Sequence, residues 1–343
     1  MKALVTGGGG FLGKRIVQAL LQKGYDVTSF ARGKYPELNE MGVTHIQGDL
    51  ADAARVKDAF ANMDIVFHVA GLVKQFGKSE DFDRANIHGT QHVVDACLSN
   101  NIKYLVFTST PSVVHDGEDA EGITESKPYP TEFLCDYFRS KAAAEKVALN
   151  ANNSSLENGK DQLRVCSLRP HAIFGPGDLS LFPILLQRAK KGRLRILGKG
   201  NTKIDWTYVD NAVDAHLNAA EALQKDDSPA AGKAYFIAND EPVNPWEFFN
   251  KVLSELELPL IQKHVPLGLA LTMGSLAETV WRTLRLDGEP PATKAMASVM
   301  GTSHYFDLTA AKQDLGYCPQ VSLEEGLSRT IPWLREELKA GRI

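Results

Sequence analysis

Lys2-Ala3-Leu4-Val5-Thr6-Gly7-Gly8-Gly9-Gly10-Phe11-Leu12-Gly13 is the stretch whose reading decides the fold. Lys2–Val5 reads as a short buried strand, and the residues after it place Gly7, Gly10 and Gly13 at the spacing G-x-x-G-x-x-G. Each glycine answers a separate backbone demand. The first allows a tight turn from strand to helix, the second lets backbone approach a pyrophosphate, and the third lets the helix pack close on the strand. Leu12, Ile16, Ala19 and Leu20 then recur at helical spacing, and Gly24 stands where that helix should end. The free N–H groups at such a helix start suit an anionic diphosphate. With 28 glycines in the chain, an isolated triplet would carry little weight. A strand directly before it and a helix directly after make this one specific.

The end of the second strand separates the two nicotinamide dinucleotides. That strand is Asp26-Val27-Thr28-Ser29-Phe30, followed by Ala31-Arg32-Gly33-Lys34. A carboxylate at the strand tip would accept hydrogen bonds from a ribose 2′-hydroxyl. Here the small Ala31 removes that repulsion, and Arg32 with Lys34 supplies cations for a 2′-phosphate. The expected cofactor is NADP; the competing reading has Arg32 stacked on adenine and both cofactors accepted.

Further along, strands and helices alternate. Strands are expected over Val43–Gln47, Ile65–Ala70, Tyr104–Ser109 and Leu163–Arg169. Helices are expected over Asp52–Asn62, Asn86–Ser99 and from Tyr137 to about Ala151, with a polar, exposed loop over Asn150–Gln162. Apolar strand runs separated by helical patterns call for an α/β fold with a doubly wound parallel sheet. Beyond Gly175-Pro176-Gly177 the pattern loosens, which predicts a smaller C-terminal substrate-binding cap. The expected division is a cofactor domain over residues 1–175, with 203–238 returning to it, and a cap region over 176–202 and 239–343.

Tyr137-Phe138-Arg139-Ser140-Lys141 puts a tyrosine and a lysine on one helical face, one turn apart. A free phenol titrates near pH 10, and a fixed ammonium nearby favours the phenolate. Moving that pKa by three units takes roughly 4 kcal/mol, which a close charge in a dry site supplies. Tyr137 is therefore a candidate general acid/base and Lys141 its tuning charge. Taken alone, this spacing more often marks a solvated helix face.

Composition fits a protein with a sizeable core: 343 residues, a net charge of −4 and a pI near 6.2, which argue against a general nucleic-acid binder. The first strand begins at residue 2, leaving no room for a signal peptide. Cys97, Cys135, Cys166 and Cys318 are scattered, as buried free thiols of a reducing, cytoplasmic compartment would be. His88 and His92 stand four apart without the glutamate of an H-E-x-x-H site, so helix packing is the better account and no metal is expected.

Together these motifs resemble the extended short-chain dehydrogenase/reductases over nearly the whole chain. Thr6–Gly13 is similar to their T-G-x-x-G-x-x-G, Gly48-Asp49-Leu50 to the segment meeting adenine, and His68-Val69-Ala70-Gly71 to the strand end beside the cofactor. Val106–Thr110 resembles the strand ending in a catalytic hydroxyl, Leu168-Arg169-Pro170 and Phe174–Gly177 the segment flanking nicotinamide, and Asp205–Asn211 a late family signature. The resemblance implies that Thr110, Tyr137 and Lys141 are catalytic. It places Gly7, Gly10, Phe11, Leu12, Gly13, Arg32, Lys34, Asp49, Leu50, Ala70, Gly71, Tyr137, Lys141 and Pro170 around the cofactor, and it makes Asn86 a structural, water-positioning residue. In the implied reaction NADPH reduces a carbonyl whose oxygen Thr110 and Tyr137 hydrogen-bond, with Tyr137 donating the proton.

Pro111-Ser112 follow Thr110, where 4,6-dehydratases carry Asp-Glu, and Val113–Gly117 lacks the Tyr-Gly of sugar-nucleotide epimerases. The form is more similar to the 3β-hydroxysteroid dehydrogenase branch and, within it, to bacterial 2-alkyl-3-oxoalkanoate reductases of olefin biosynthesis. A 3-keto reduction of a long-chain, lipid-like substrate is therefore expected. Steroid or sterol oxidation, sugar-nucleotide epimerisation and a non-catalytic NADP sensor are the alternatives. The resemblance also implies a homodimer. Val265–Ala277 is uncharged but too short to span a bilayer. It lines an alkyl tunnel, meets a membrane or pathway-partner surface, or is a core helix. Seven basic and no acidic residues between Arg188 and Lys203 either attract an anion or form a solvated helix end.

Overall fold

Aliphatic strands followed by amphipathic helices lay down a seven-stranded, fully parallel sheet in the computed structural model, which describes all 343 residues. The chain runs β1 (Lys2–Thr6), α1 (Phe11–Gln22), β2 (Asp26–Ala31), β3 (Thr44–Gln47), α2 (Ala53–Ala59), β4 (Ile65–His68), α3 (Gly89–Ser99), β5 (Tyr104–Thr108), α4 (Asp136–Asn150), β6 (Arg164–Pro170), α5 (Leu181–Lys190), α6 (Val209–Leu223) and β7 (Lys233–Ile237). The strand order is β7-β6-β5-β4-β1-β2-β3. The chain winds outward from β1 to β3, then returns to β4 and winds the other way. That reversal opens a crevice at the carboxyl ends of β1 and β4, the place where such sheets bind ligands.

Alternate residues of each strand feed two cores, as a sheet covered on both faces requires. Leu4, Val66, Leu105, Phe107 and Val165 meet Val56, Val93, Ala144 and Ala148 on one side. Ala3, Val5, Ile65, Phe67 and Val106 meet Ile16, Val17, Leu20 and Val213 on the other. This second core continues without a break through Trp206, Phe248 and Leu334 into the C-terminal region. There, α7 (Pro245–Glu255), α8 (Leu267–Leu284), α9 (Lys294–Gly301) and α10 (Leu323–Lys339) are joined by three short parallel ladders. Ile173–Phe174 pairs with Thr207–Tyr208, Ile196–Leu197 with His264–Val265, and Ala120–Ile123 with His304–Phe306.

Several details depart from the sequence reading. The strands expected to end at Ala70 and Ser109 end at His68 and Thr108, freeing the residues beyond them for the crevice. The helix expected over 52–62 is Ala53–Ala59, with Asp52 as its cap, accepting from the Arg55 N–H at 3.0 Å. The helix expected from Asn86 begins earlier, with an α-helical turn over Ser79–Phe82 that runs into a π-helical turn over Asp83–His88. In the 150–162 loop, Leu156 is buried, so the segment is not wholly exposed. Cys97 and Cys166 are buried, but Cys135 is half-buried and Cys318 exposed, so burial holds for two of the four thiols.

Candidate active site

The glycine turn is shaped by contacts that leave no room for side chains. Gly7 has φ +71°, and a Cβ there would lie 3.1 Å from the Ala70 backbone. A Cβ on Gly13 would meet the Gly7 carbonyl oxygen at 2.2 Å, so only glycine lets α1 sit this close to β1. Gly10, at the N-cap of α1, is exposed; its missing Cβ would meet only the Gly7 carbonyl oxygen. No side chain caps α1, and its first turn holds no carboxylate. An anionic diphosphate fits that combination of open backbone and positive helix end. One neighbour had no signal in the motif: the Tyr35 ring covers Gly9, where a Cβ would sit 2.4 Å from it.

At the tip of β2, Arg32 and Lys34 are exposed, and the Arg32 backbone oxygen accepts from Gln47 Nε2 at 2.8 Å. Asp49 faces Arg84 across 3.8 Å, and Leu50 is buried where a Cβ on Gly89 would touch it at 3.1 Å. Thr6 ties the tips of β1 and β4 together. Its Oγ1 accepts from the N–H groups of Val69 and Ala70, each at 3.1 Å, and meets His68 Nδ1 at 2.8 Å. Burial drives His68 down to about 3, so its ring is neutral and serves these bonds.

Helix α4 brings Tyr137 and Lys141 to the same crevice. Its run of Ala142, Ala144 and Ala148 lets it pack tightly, burying Tyr137, Lys141 and Glu145 on one side. Lys141 Nζ donates to the Thr108 carbonyl at 2.7 Å and lies 4.4 Å from the Phe107 ring centre. A Cβ on Gly71 would stand 3.8 Å from that same Nζ, and 3.3 Å from Asn86 Oδ1. Asn86 accepts from Leu72 N at 2.7 Å and donates to Ser140 Oγ at 3.0 Å, so it staples the segment after β4 to α4. Thr110 begins the turn after β5, with its Oγ1 3.3 Å from both Ser112 N and Ser112 Oγ, and its hydroxyl acts on the Tyr137 phenol.

The electrostatics differ from the expectation in one respect. Burial pushes the Tyr137 phenol well above its usual range, and the Thr110 hydroxyl draws it only partly back. Lys141 does not pull it down, because its ammonium is turned to the Thr108 carbonyl. Burial lowers Lys141 itself to about 8, against the pull of Glu145. The sequence reading also missed Glu145 as a centre. It accepts from Arg169 Nη2 at 2.7 Å, Tyr129 Oη at 2.7 Å and Ser167 Oγ at 2.9 Å, with its side chain fully buried. The signal was present: Glu145 extends the four-residue spacing of Tyr137 and Lys141 by one more turn. Pro170 is buried at the end of β6, paired with Ile237, one strand away from Thr108.

Behind Thr110 lies a small cavity of about 20 Å³, lined by Ser112, His115, His171 and His304 among others. It holds little more than one water and is too small for an alkyl substrate. Burial lowers His115 to about 4 and His171 to about 3, so these rings are neutral.

The doubly wound sheet thus sets a glycine turn beside the buried Tyr137 and Lys141 and the half-buried Thr110. The chain belongs to the 3-beta hydroxysteroid dehydrogenase/isomerase family, which matches residues 4–267. It is an oxidoreductase of the CH–OH/C=O couple. It is 46% identical to a 2-alkyl-3-oxoalkanoate reductase of Shewanella oneidensis, over 95% of this chain and 84% of that one. A second protein of that name, from Stenotrophomonas maltophilia, is 44% identical over 96% and 98%. The mouse sterol-4-alpha-carboxylate 3-dehydrogenase (decarboxylating) is 33% identical over 96% and 90%. Among solved structures, MoeE5 in complex with UDP-glucose and NAD has a TM-score of 0.74 at 26% identity, covering 98% and 100%. A double mutant of the dTDP-glucose 4,6-dehydratase DesIV from Streptomyces venezuelae has a TM-score of 0.77 at 23% identity, over 99% and 98%, and shares the fold. No helix is long and apolar enough to cross a membrane.

Proposed function

We propose that this protein is an NADPH-dependent reductase that converts the 3-keto group of a long-chain 2-alkyl-3-oxoalkanoate to a hydroxyl. The observation that carries the reading is the group of buried Tyr137 and Lys141 with half-buried Thr110, set between the end of β5 and Gly71. A nicotinamide dinucleotide bound at the glycine turn would supply the hydride. Tyr137, held protonated at neutral pH by burial, keeps at Oη the proton that the substrate oxygen takes as it becomes an alcohol. Thr110 Oγ1 is the second donor to that oxygen. Lys141 is the positioning charge at the nicotinamide end, where Ala70, Gly71 and Pro170 line the same crevice. Gly7, Gly10, Phe11, Leu12 and Gly13 hold the diphosphate, with Asp49 and Leu50 toward the adenine. Arg32 and Lys34, exposed beside the small Ala31, favour a 2′-phosphate and hence NADP. Residues 1–175 and 203–238 form the cofactor part, and 176–202 with 239–343 the substrate part.

The substrate class draws on the relatives' names. The bacterial relatives act on 3-oxo acids branched at carbon 2. The sterol relative oxidises carbon 3 beside a carboxylate on carbon 4. Both place the reacting oxygen two carbons from a carboxylate on a branched apolar body. Sterol-acid oxidation is thus the second reading, favoured by identity across 96% of the chain.

The test is nicotinamide absorbance in the oxidative direction, with NADP⁺ or NAD⁺ and a 2-alkyl-3-hydroxy acid. We expect NADP⁺-preferring turnover. Tyr137→Phe should lower kcat by roughly 10²- to 10⁴-fold, as loss of a general acid does. Arg32→Ala should raise the KM for NADP⁺ by about 10- to 100-fold and leave NAD⁺ nearly unaffected. Turnover of a 3β-hydroxysteroid acid alone would move the assignment to sterols. Activity that survives Tyr137→Phe would overturn the mechanism.

A further inference from the structure

Helix α8 turns five of its large aliphatic residues away from the protein. Leu269, Met273, Leu276, Val280 and Leu284 are 51%, 57%, 63%, 37% and 64% exposed. Their spacing of four, three, four and four puts them in one line, about 22 Å long at the rise of an α-helix. The inward side carries the half-buried Leu267, Leu271 and Trp281, and comes closest to the protein at a glycine. Gly274 is buried, and a Cβ there would strike Lys294 N and the Thr293 carbonyl carbon at 2.7 Å. Thr272 and Thr279 flank the line, but their hydroxyls bond the helix's own carbonyls of Gly268 and Ser275 at 2.8 and 2.9 Å. Glu278 is turned to the Lys294 N–H at 2.7 Å, and the Arg282 guanidinium lies over the Phe76 ring at 5.5 Å. The line itself therefore carries no charge, and the one hydroxyl close beside it is that of the exposed Thr283.

Cations gather at the start of this helix. The ladder of Ile196–Leu197 with His264–Val265 carries the basic run between Arg188 and Lys203 alongside it. A Cβ on Gly198 would touch Leu267, the first residue of α8, at 3.7 Å. Arg193, Lys199 and Lys263 are exposed there, and none of them is in an ion pair. An apolar line on a helix, with Lys and Arg beside it, is the pattern of helices that lie in a bilayer interface.

We propose that α8 and the basic run beside it form a docking surface for an anionic lipid bilayer. A protein partner fits less well. A single line of aliphatic side chains is narrow against the roughly 800 Å² per side of a stable interface. The surface stands close to the candidate site. Helix α8 packs on α9, whose Ala295 shares a small buried cluster with Tyr137 and Phe138. The docking surface does not depend on which substrate that site takes.

Flotation of the purified full-length protein with vesicles tests this. The vesicles are pure phosphatidylcholine, or phosphatidylcholine mixed equally with phosphatidylglycerol. We expect flotation with the anionic vesicles, weaker flotation with the neutral ones, and loss of binding as salt is raised. Met273→Glu/Leu276→Glu and, separately, Arg193→Glu/Lys199→Glu should each lower the partition coefficient by about tenfold or more. Both pairs are exposed, so melting temperature and elution volume should stay at wild-type values. Absence of wild-type flotation overturns the proposal, as does equal flotation of both variants. It also fails if Met273→Glu/Leu276→Glu halves the mass measured by light scattering while no vesicle binds, which would make the face a contact between copies of the chain.

Discussion

Helices α1 and α8 carry aliphatic residues at the same helical spacing and point them in opposite directions. In α1, Leu12, Ile16, Val17 and Leu20 are buried against the sheet and α6. In α8, only Gly274 is buried, and the line from Leu269 to Leu284 faces outward. The cause lies on the other side of each helix. Helix α1 stands at side-chain distance from β1 except where Gly13 touches the turn, so large residues fill the space between. Helix α8 meets the start of α9 at Gly274, where backbone approaches backbone so closely that even a Cβ would clash. Periodicity reveals that a helix has an apolar line; packing alone decides whether the protein covers that line.

Acid should expose the buried interior most strongly. His68 and His171 are lowered to about 3, and His115 and His216 to about 4, all by burial. The unfolded chain takes up these protons near pH 6.5, well before the folded one does. Stability is therefore complete above that pH and declines as pH falls from about 6.5 toward 3 to 4. At pH 5 the loss is about 2 kcal/mol for each buried imidazole. Urea denaturation at pH 7 and pH 5 checks this; equal midpoints would mean the histidines are not held neutral. Glu145, lowered by Arg169, adds its own loss only below the ordinary carboxylate range.

Glu145→Gln should follow in size. It leaves Arg169 buried without its counter-charge, at a cost of about 3–5 kcal/mol, read by urea denaturation at neutral pH. The two helices then separate directly. Leu20→Ala in α1 should cost about 2–5 kcal/mol, because a fully buried side chain leaves a cavity. Leu276→Ala in α8 should change stability by less than about 0.5 kcal/mol. Similar losses for Leu20→Ala and Leu276→Ala would erase the distinction drawn between the two faces.

The glycine turn, the strand alternation and the pairing of Tyr137 with Lys141 were legible because each is a demand on backbone or helix period. What escaped has no period. The helix over Pro36–Glu40 is a single turn that starts with its proline, and the ladder between Ala120–Ile123 and His304–Phe306 joins segments far apart in the chain. The Tyr35 ring over Gly9 is a shape contact that no spacing encodes. Lys141 was expected to lower Tyr137, an expectation drawn from its position one turn away. Its bond to the Thr108 carbonyl depends on how far α4 sits from β5, which only packing determines. The charge-free run after Val265 was read as a tunnel lining, a membrane or partner contact, or a core helix. With so little of α8 buried, the core-helix reading fails.

One strand carries a consequence for how the chain is made. Strand β7 pairs with β6 from Cys166↔Lys233 to Ile237↔Pro170, and α5 and α6 are laid down between them. During synthesis β6 must wait with its outer backbone edge unpaired until residue 237 has left the ribosome. An uncovered strand edge of that kind is a template for wrong pairing. The nascent chain should depend on a holding chaperone most between the emergence of β6 and that of β7, and a ribosome pause placed in that interval should lower the yield of folded protein more than one placed after it.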